Sequence, residues 1–195
     1  MRIFVAIDIE DSIRARIANF MQGMEGFAPD ARWVRPESLH VTLKFIGEKS
    51  EWEVEAIQRA LGQVRGDSMD IALRGHGFFP TRTSARVFWI GIEAGPALGA
   101  LAKAVDDVTS SLGIPKEDRA FSPHLTLARG GSGSGNPRKQ KGDKPNRGFQ
   151  RLQEKLAAMP APDFGTMTAR EFSLYLSHLG RGGSRYEKLA SFALG

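Results

Sequence analysis

The 195-residue chain contains no cysteine. That excludes a disulfide framework, a thiolate zinc site and a cysteine nucleophile, and it favours a reducing compartment. No apolar run approaches the roughly 18 residues that a membrane helix needs. The opening "MRIFVAIDIEDS" turns acidic after seven residues, too early for a secretory leader. A cytoplasmic protein is expected. No carboxylate spacing resembles a magnesium site and no cluster resembles a zinc site, so neither metal nor cofactor is expected. Acidic residues are nearly missing from one stretch. Residues 129–151 hold seven Lys and Arg against the single acid Asp143, a net of +6, while the whole chain carries +5, so the other 172 residues sum to −1. The body is neutral and one segment is basic, suited to a polyanion through counterion release or simply kept solvated by its charge.

The length suits one domain, or two small lobes sharing a core. The patterning predicts strands at 2–9, 39–47, 69–79, 85–93, "HLTLA", 169–180 and 184–194, the last two joined by the glycine turn "GRGG". The strand at 85–93 is apolar enough to be central. Helices are predicted after Asp11 or Ser12 as cap, at 50–64 with a Ser50–Glu53 capping box, at 96–113, and at 148–159. Trp52, Val54, Ile57 and Leu61 supply the apolar side of the second helix. Trp33 and Val34 are expected to pack inward. Seven strands and four helices in mixed order indicate an α+β fold with substantial antiparallel pairing. The glycine- and lysine-rich stretch at about 130–147 cannot bury a core and is expected to be a flexible basic loop within a single domain spanning 1–195.

One motif occurs twice, 84 residues apart: "SLHVTLKF" at 38–45 and "SPHLTLAR" at 122–129. In an extended strand alternate side chains share a face. His40, Thr42 and Lys44 then share one face while Val41, Leu43 and Phe45 go to the core; His124 and Thr126 share a face while Leu125 and Leu127 go inward. Arg129 falls on the Leu face by strict alternation and must turn, or lie past the strand end, to join a site. One histidine on a strand is an ordinary satisfied polar residue; two His-x-Thr-Leu copies among four histidines are not a chance pattern. His76 and His178 lack the motif and are read as structural. Histidine titrates near pH 6.5, so a pair supplies one general base and one general acid. Threonine hydroxyls donate to an anion, for which phosphate is the natural candidate. In-line displacement at phosphorus needs acid and base on opposite flanks, which two strands related by a pseudo-twofold axis provide. Metal-free cleavage of a reactive ester such as a five-membered cyclic phosphate is the reaction class that follows.

The residues that carry this chemistry also carry a resemblance. "RIFVAIDI", "WVRPESLHVTLKFIGE", "RVFWIGIE", "FSPHLTLAR" and "LYLSHLGRGGSRYEKLASFAL" resemble the two-histidine phosphoesterase superfamily, in particular the RNA 2′,3′-cyclic phosphodiesterases, also called 2′-5′ RNA ligases. The resemblance covers nearly the whole chain and departs at 130–147. It implies a bilobal α+β fold, two antiparallel sheets around a central cleft with helices outside. It implies hydrolysis of a 2′,3′-cyclic phosphate to a 2′-phosphomonoester, with His40 as proton donor to O3′, His124 as proton acceptor from water, and Thr42 and Thr126 on the non-bridging oxygens. A 5′-hydroxyl in place of water would give reverse 2′-5′ ligation. The implied partners are RNA 3′ ends, or nucleotides, with a 2′,3′-cyclic phosphate, bound by a monomer without membrane or metal.

Further candidates are Arg129 and Lys44 for phosphate charge, and Phe78, Phe79 and Tyr186 for stacking a terminal base. Two other readings stand beside the first. One keeps the chemistry but gives it a small cyclic nucleotide, an ADP-ribose cyclic phosphate or a 2′-5′ oligoadenylate. The other is a non-catalytic RNA-binding module in which the basic loop does the binding.

Overall fold

The computed structural model describes residues 1–130 and 147–195, so nearly all of the expected basic loop lies outside the described residues. In chain order the elements are β1 (Arg2–Asp8), α1 (Asp11–Met24), β2 (Arg32–Trp33), β3 (His40–Glu48), α2 (Glu51–Leu61), β4 (Met69–Phe79), β5 (Val87–Ala94), α3 (Pro96–Ser110), β6 (His124–Arg129), α4 (Gln150–Ala157), β7 (Asp163–Ala169), β8 (Glu171–His178) and β9 (Arg185–Ala193). The strands form two antiparallel sheets, one in the order β3-β1-β8-β9 and one in the order β2-β6-β5-β4-β7. The fold is the bilobal α+β arrangement expected, with the apolar β5 at the centre of its sheet. The two motif strands, β3 and β6, belong to different sheets and meet at the cleft between them.

Strand periodicity explains how the sheets face two ways. On β1, Ile3, Val5 and Ile7 enter the main core, while Phe4 and Ala6 join Tyr175 in a small cluster on the opposite side, with Tyr186 packed against it. Burying each large aliphatic side chain contributes about 1.5–3 kcal/mol. The helices seal the main core. Ile13, Ile17, Met21 and Met24 make the buried stripe of α1, and Leu98, Leu101 and Val105 that of α3. The capping box of α2 is formed: the Ser50 N–H and hydroxyl donate to the Glu53 carboxylate at 2.8 and 2.7 Å. Gly113 (φ +84°) follows α3, in the left-handed backbone that favours glycine.

Several local expectations change. The α1 cap is Glu10 rather than Asp11 or Ser12; Asp11 lies in the first turn, where its charge suits the helix dipole, and the Ser12 hydroxyl donates to Glu10. Trp52 is exposed, because it lies two residues from Val54 and so on the far side of α2 from the Val54–Ile57–Leu61 stripe. Two strands add to the seven expected: the two-residue β2, and β7, whose pattern is interrupted by Gly165 at φ +102°. Among the described residues no helix is long and apolar enough to cross a membrane.

Candidate active site

Both motif strands carry an extra residue at the same place. In the β1–β3 ladder Asp8 pairs with His40 and Ala6 with Thr42, but Val5 pairs with Lys44, so Leu43 is passed over. In the β5–β6 ladder Gly91 pairs with His124 and Trp89 with Thr126, but Phe88 pairs with Ala128, so Leu127 is passed over. Each is a β-bulge at the leucine of His-x-Thr-Leu. A bulge resets which side chains share a face. Two consecutive residues therefore turn inward in each strand, Leu43 with Lys44 and Leu127 with Ala128. The next residue, Phe45 or Arg129, comes round to the side of the histidine and threonine.

Two expectations are corrected by this, and the alternative left open for Arg129 is decided. Lys44 does not share the face of His40; it is buried, and its ammonium donates to the Asp106 carboxylate and to the Pro115 carbonyl at 2.8 Å. Phe45 is not in the core but 61% exposed. Arg129 needs no position past the strand end, because the bulge turns it into the site.

A cavity of about 140 Å³ brings together His40, Thr42, His124, Thr126, Arg129 and Tyr186. The two imidazoles are held alike. His40 Nδ1 lies 2.7 Å from the Ser38 carbonyl and His124 Nδ1 2.9 Å from the Ser122 carbonyl. A carbonyl only accepts, so Nδ1 carries the hydrogen in both, and Nε2 is the nitrogen available to a ligand. Such a ring is a base when neutral and an acid when charged. Rings brace each imidazole: Phe4 at 4.7 Å and Tyr186 at 5.1 Å beside His40, Phe79 at 5.1 Å beside His124. Burial holds the His40 pKa below its ordinary value, while the Ser38 carbonyl and Asp8 oppose that pull and Arg14 adds to it.

The cavity opens past Thr42, Phe45 and His124 into a groove of about 760 Å³. Its walls include Phe79, Phe121, Lys103 and Arg119, with the acids Asp106 and Glu117. Of the stacking candidates, Phe79 and Tyr186 reach the cleft. Phe78 does not; it packs on Phe88 and Phe149 in the core. His76 and His178 line neither space; His178 is paired with Glu187 at 2.8 Å. The sequence reading missed Phe121 and Arg119, whose only sequence signal was their place in the irregular stretch just before the second motif. Among the described residues no three His, Asp or Glu side chains are grouped as a metal site requires.

Comparison with known proteins agrees with this layout. The family described as LigT like Phosphoesterase matches the chain twice, over residues 7–89 and 90–186, so that each copy contains one motif. An RNA 2′,3′-cyclic phosphodiesterase of Archaeoglobus fulgidus is 32% identical over 192 residues, covering 98% of this chain and 99% of that protein. One of Methanocaldococcus jannaschii is 33% identical, covering 96% and 97%. The crystal structure of E. coli LigT complexed with 3′-AMP superposes with a TM-score of 0.76 at 28% identity, covering 99% of this chain and 97% of that one.

Proposed function

The chain belongs to the LigT-like phosphoesterase family, and from that premise we propose that it is an RNA 2′,3′-cyclic phosphodiesterase whose acid and base are His40 and His124. The observation that carries the proposal is the shared cavity. Two imidazoles, supplied by two different sheets and each held through Nδ1 by a carbonyl two residues upstream, line it together with a hydroxyl apiece.

In this mechanism Nε2 of neutral His124 takes a proton from water as the water oxygen bonds to phosphorus. The P–O3′ bond breaks on the opposite flank, and the charged His40 gives its Nε2 proton to O3′. The product is a 2′-phosphomonoester and a free 3′-hydroxyl. The two rings finish with exchanged protonation states, which solvent restores. Thr42 and Thr126 donate to the non-bridging oxygens, and Arg129 offers its planar donor fork to the charge that builds on them. A 5′-hydroxyl in the place of water makes a 2′-5′ linkage with the same groups. No step requires a metal ion, and every group named comes from one chain, so a monomer suffices.

The groove favours an RNA end over a small cyclic nucleotide. At about 760 Å³ it exceeds the 140 Å³ cavity several-fold, and the rings of Phe45, Phe79 and Phe121 along it suit stacking of the bases preceding the terminal ribose, with Lys103 and Arg119 as cations beside the acids Asp106 and Glu117. The test is incubation with an RNA ending in a 2′,3′-cyclic phosphate and mapping of the product phosphate. A 2′-phosphate is expected, with turnover indifferent to a chelator. His40→Ala and His124→Ala should each lower turnover by about 10²–10⁴-fold with the fold retained. Retained turnover in either variant, or its loss on chelation, would overturn the proposal. A cyclic mononucleotide cleaved as efficiently as an oligonucleotide would transfer it to the small-substrate reading.

A further inference from the structure

The two halves differ behind their histidines. Asp8 stands opposite His40 in the β1–β3 ladder, whereas Gly91 stands opposite His124 in the β5–β6 ladder. Directly opposed residues share a face, with Cβ atoms about 4.5–5.5 Å apart. Asp8 therefore places a carboxylate on the side of the sheet that carries His40. The equivalent place in the other half is closed, since a Cβ on Gly91 would lie 2.4 Å from the Arg74 carbonyl oxygen. One half has a charge built in, and the other has no room for one.

The Asp8 carboxylate is fixed from two strands. The Tyr175 hydroxyl donates to Oδ1, and Lys188 Nζ lies 2.7 Å from Oδ2 and 3.5 Å from Glu171. Burial pushes the Asp8 carboxyl up, but Lys188 and Tyr175, with Arg14 beyond them, hold it below the usual carboxylate range. Burial and Asp8 together push the Tyr175 hydroxyl up, so it stays a donor. Among the described residues, Asp8 from β1 and Arg14 from α1 act on His40, Tyr186 from β9 touches its ring, and His124 and Arg129 share its cavity, while Tyr175 from β8 and Lys188 from β9 lie behind it on Asp8. Arg35 and Glu37 lie in the segment leading into β3; Arg35 donates to the Gly182 carbonyl at 2.9 Å, and Glu37 is exposed. Arg14 is itself bound to the carbonyls of Ile9, Pro36 and Leu39.

We propose that Asp8 is a positioning residue that favours the imidazolium form of His40 against the pull of burial, and thereby supports His40 as the group that protonates the leaving oxygen. This rests on the acid–base reading of the two histidines. The near-identical motifs supply no such distinction by themselves. Burial opposes the charged form of His40, and a neutral ring would have no proton at Nε2 to give. The Asp8 carboxylate offsets part of that penalty, on one side of the cleft only.

The test is an NMR titration of the four histidine side chains in substrate-free protein, in the parent and two variants. Asp8→Asn keeps the shape and an acceptor for Tyr175 but removes the charge; the His40 pKa should fall by roughly half a pH unit or more. Lys188→Gln removes the cation that compensates Asp8, and the His40 pKa should rise. The His124 curve should stay where it is in the parent. In turnover, the alkaline limb of kcat/KM should move in the same two directions. Shifts of the same sign in both variants, or a matching displacement of His124, would mark a packing defect and overturn the proposal. If Asp8→Asn does not fold, Lys188→Gln decides alone, and an unmoved His40 overturns it. The titration does not depend on turnover. Failure of the acid–base reading is seen separately, as activity that survives His40→Ala, and that result removes the donor role.

Discussion

Lys44 provides a sharp check on the bulge in β3. Its side chain is 1% exposed, while that of its partner Asp106 is 19% exposed. The ammonium has the Asp106 carboxylate and the Pro115 carbonyl; the carboxylate has solvent and also accepts from the Glu117 N–H at 3.3 Å. Removing the two partners should therefore have unequal effects. Asp106→Ala leaves a buried ammonium with one carbonyl, a loss of about 3–5 kcal/mol. For a chain of this length that lowers the melting temperature by roughly 6–20 °C. Lys44→Met removes the buried charge, keeps the apolar stem, and leaves Asp106 to water, so it should cost less than about 2 kcal/mol. The double variant should return close to Lys44→Met, because the stranded charge is gone. Urea and thermal denaturation of the three variants measure this. Turnover of Lys44→Met on a cyclic-phosphate RNA should stay near the parent value, since the ammonium is engaged with Asp106 and Pro115 and Lys44 does not line the cavity that holds the two histidines. A loss of about 10²-fold in kcat with stability intact would mean that Lys44 acts at the phosphate, as strict alternation would place it, and would refute the bulge argument.

Arg129→Ala should lower kcat/KM by about 10–100-fold through loss of charge-assisted hydrogen bonds, with the shape of the pH profile kept; a displaced profile would show that Arg129 acts through a histidine instead. Gly91→Ala should destabilise the protein by about 1–3 kcal/mol in urea unfolding, because the new Cβ meets the Arg74 carbonyl at 2.4 Å and β4 and β5 must spread; an unchanged midpoint would mean the ladder yields freely. The Asp8 carboxyl is held below its ordinary 3.8. Its contribution is therefore complete above that value and lost as pH falls through and below it. The urea midpoint of Asp8→Asn should lie below the parent's at neutral pH, the gap should grow slightly as His40 gains its charge, and it should close toward pH 3; a gap still widening below about pH 4 would contradict the sign.

Alternation puts the histidine and threonine of each motif on one face but stops at the threonines. His40, Thr42, His124 and Thr126 share a cavity because a repeated motif and a two-residue period are both written in the chain. The bulges are not written there. Leu43–Lys44 and Leu127–Ala128 contain no glycine or asparagine to signal them, and they exist only against the partner strands β1 and β5. Strict alternation therefore puts Lys44 and Phe45 on the wrong face and leaves Arg129 needing a turn, which the bulge supplies. The strand β7 was hidden for a related reason, since Gly165 at φ +102° breaks its pattern and its pairing with β4 is long-range. The groove was illegible because its wall combines α3, the stretch before β6 and the end of β4, which only the folded chain brings together.

The paired bulges also suggest why two nearly equal halves can serve a reaction that has a direction. Without a bulge the third residue facing the cleft would be Lys44 in one half and Ala128 in the other. With it, the third residue is Phe45 beside His40 and Arg129 beside His124. The ladder position opposite each histidine is likewise unequal, Asp8 in one half and Gly91 in the other. A carboxylate, itself paired with Lys188, stands behind His40, and the guanidinium of Arg129 lines the cavity after His124, both from positions that the His-x-Thr-Leu repeat does not contain. In the proposed reaction the repeat supplies two like proton carriers, and the residues just outside it make them different.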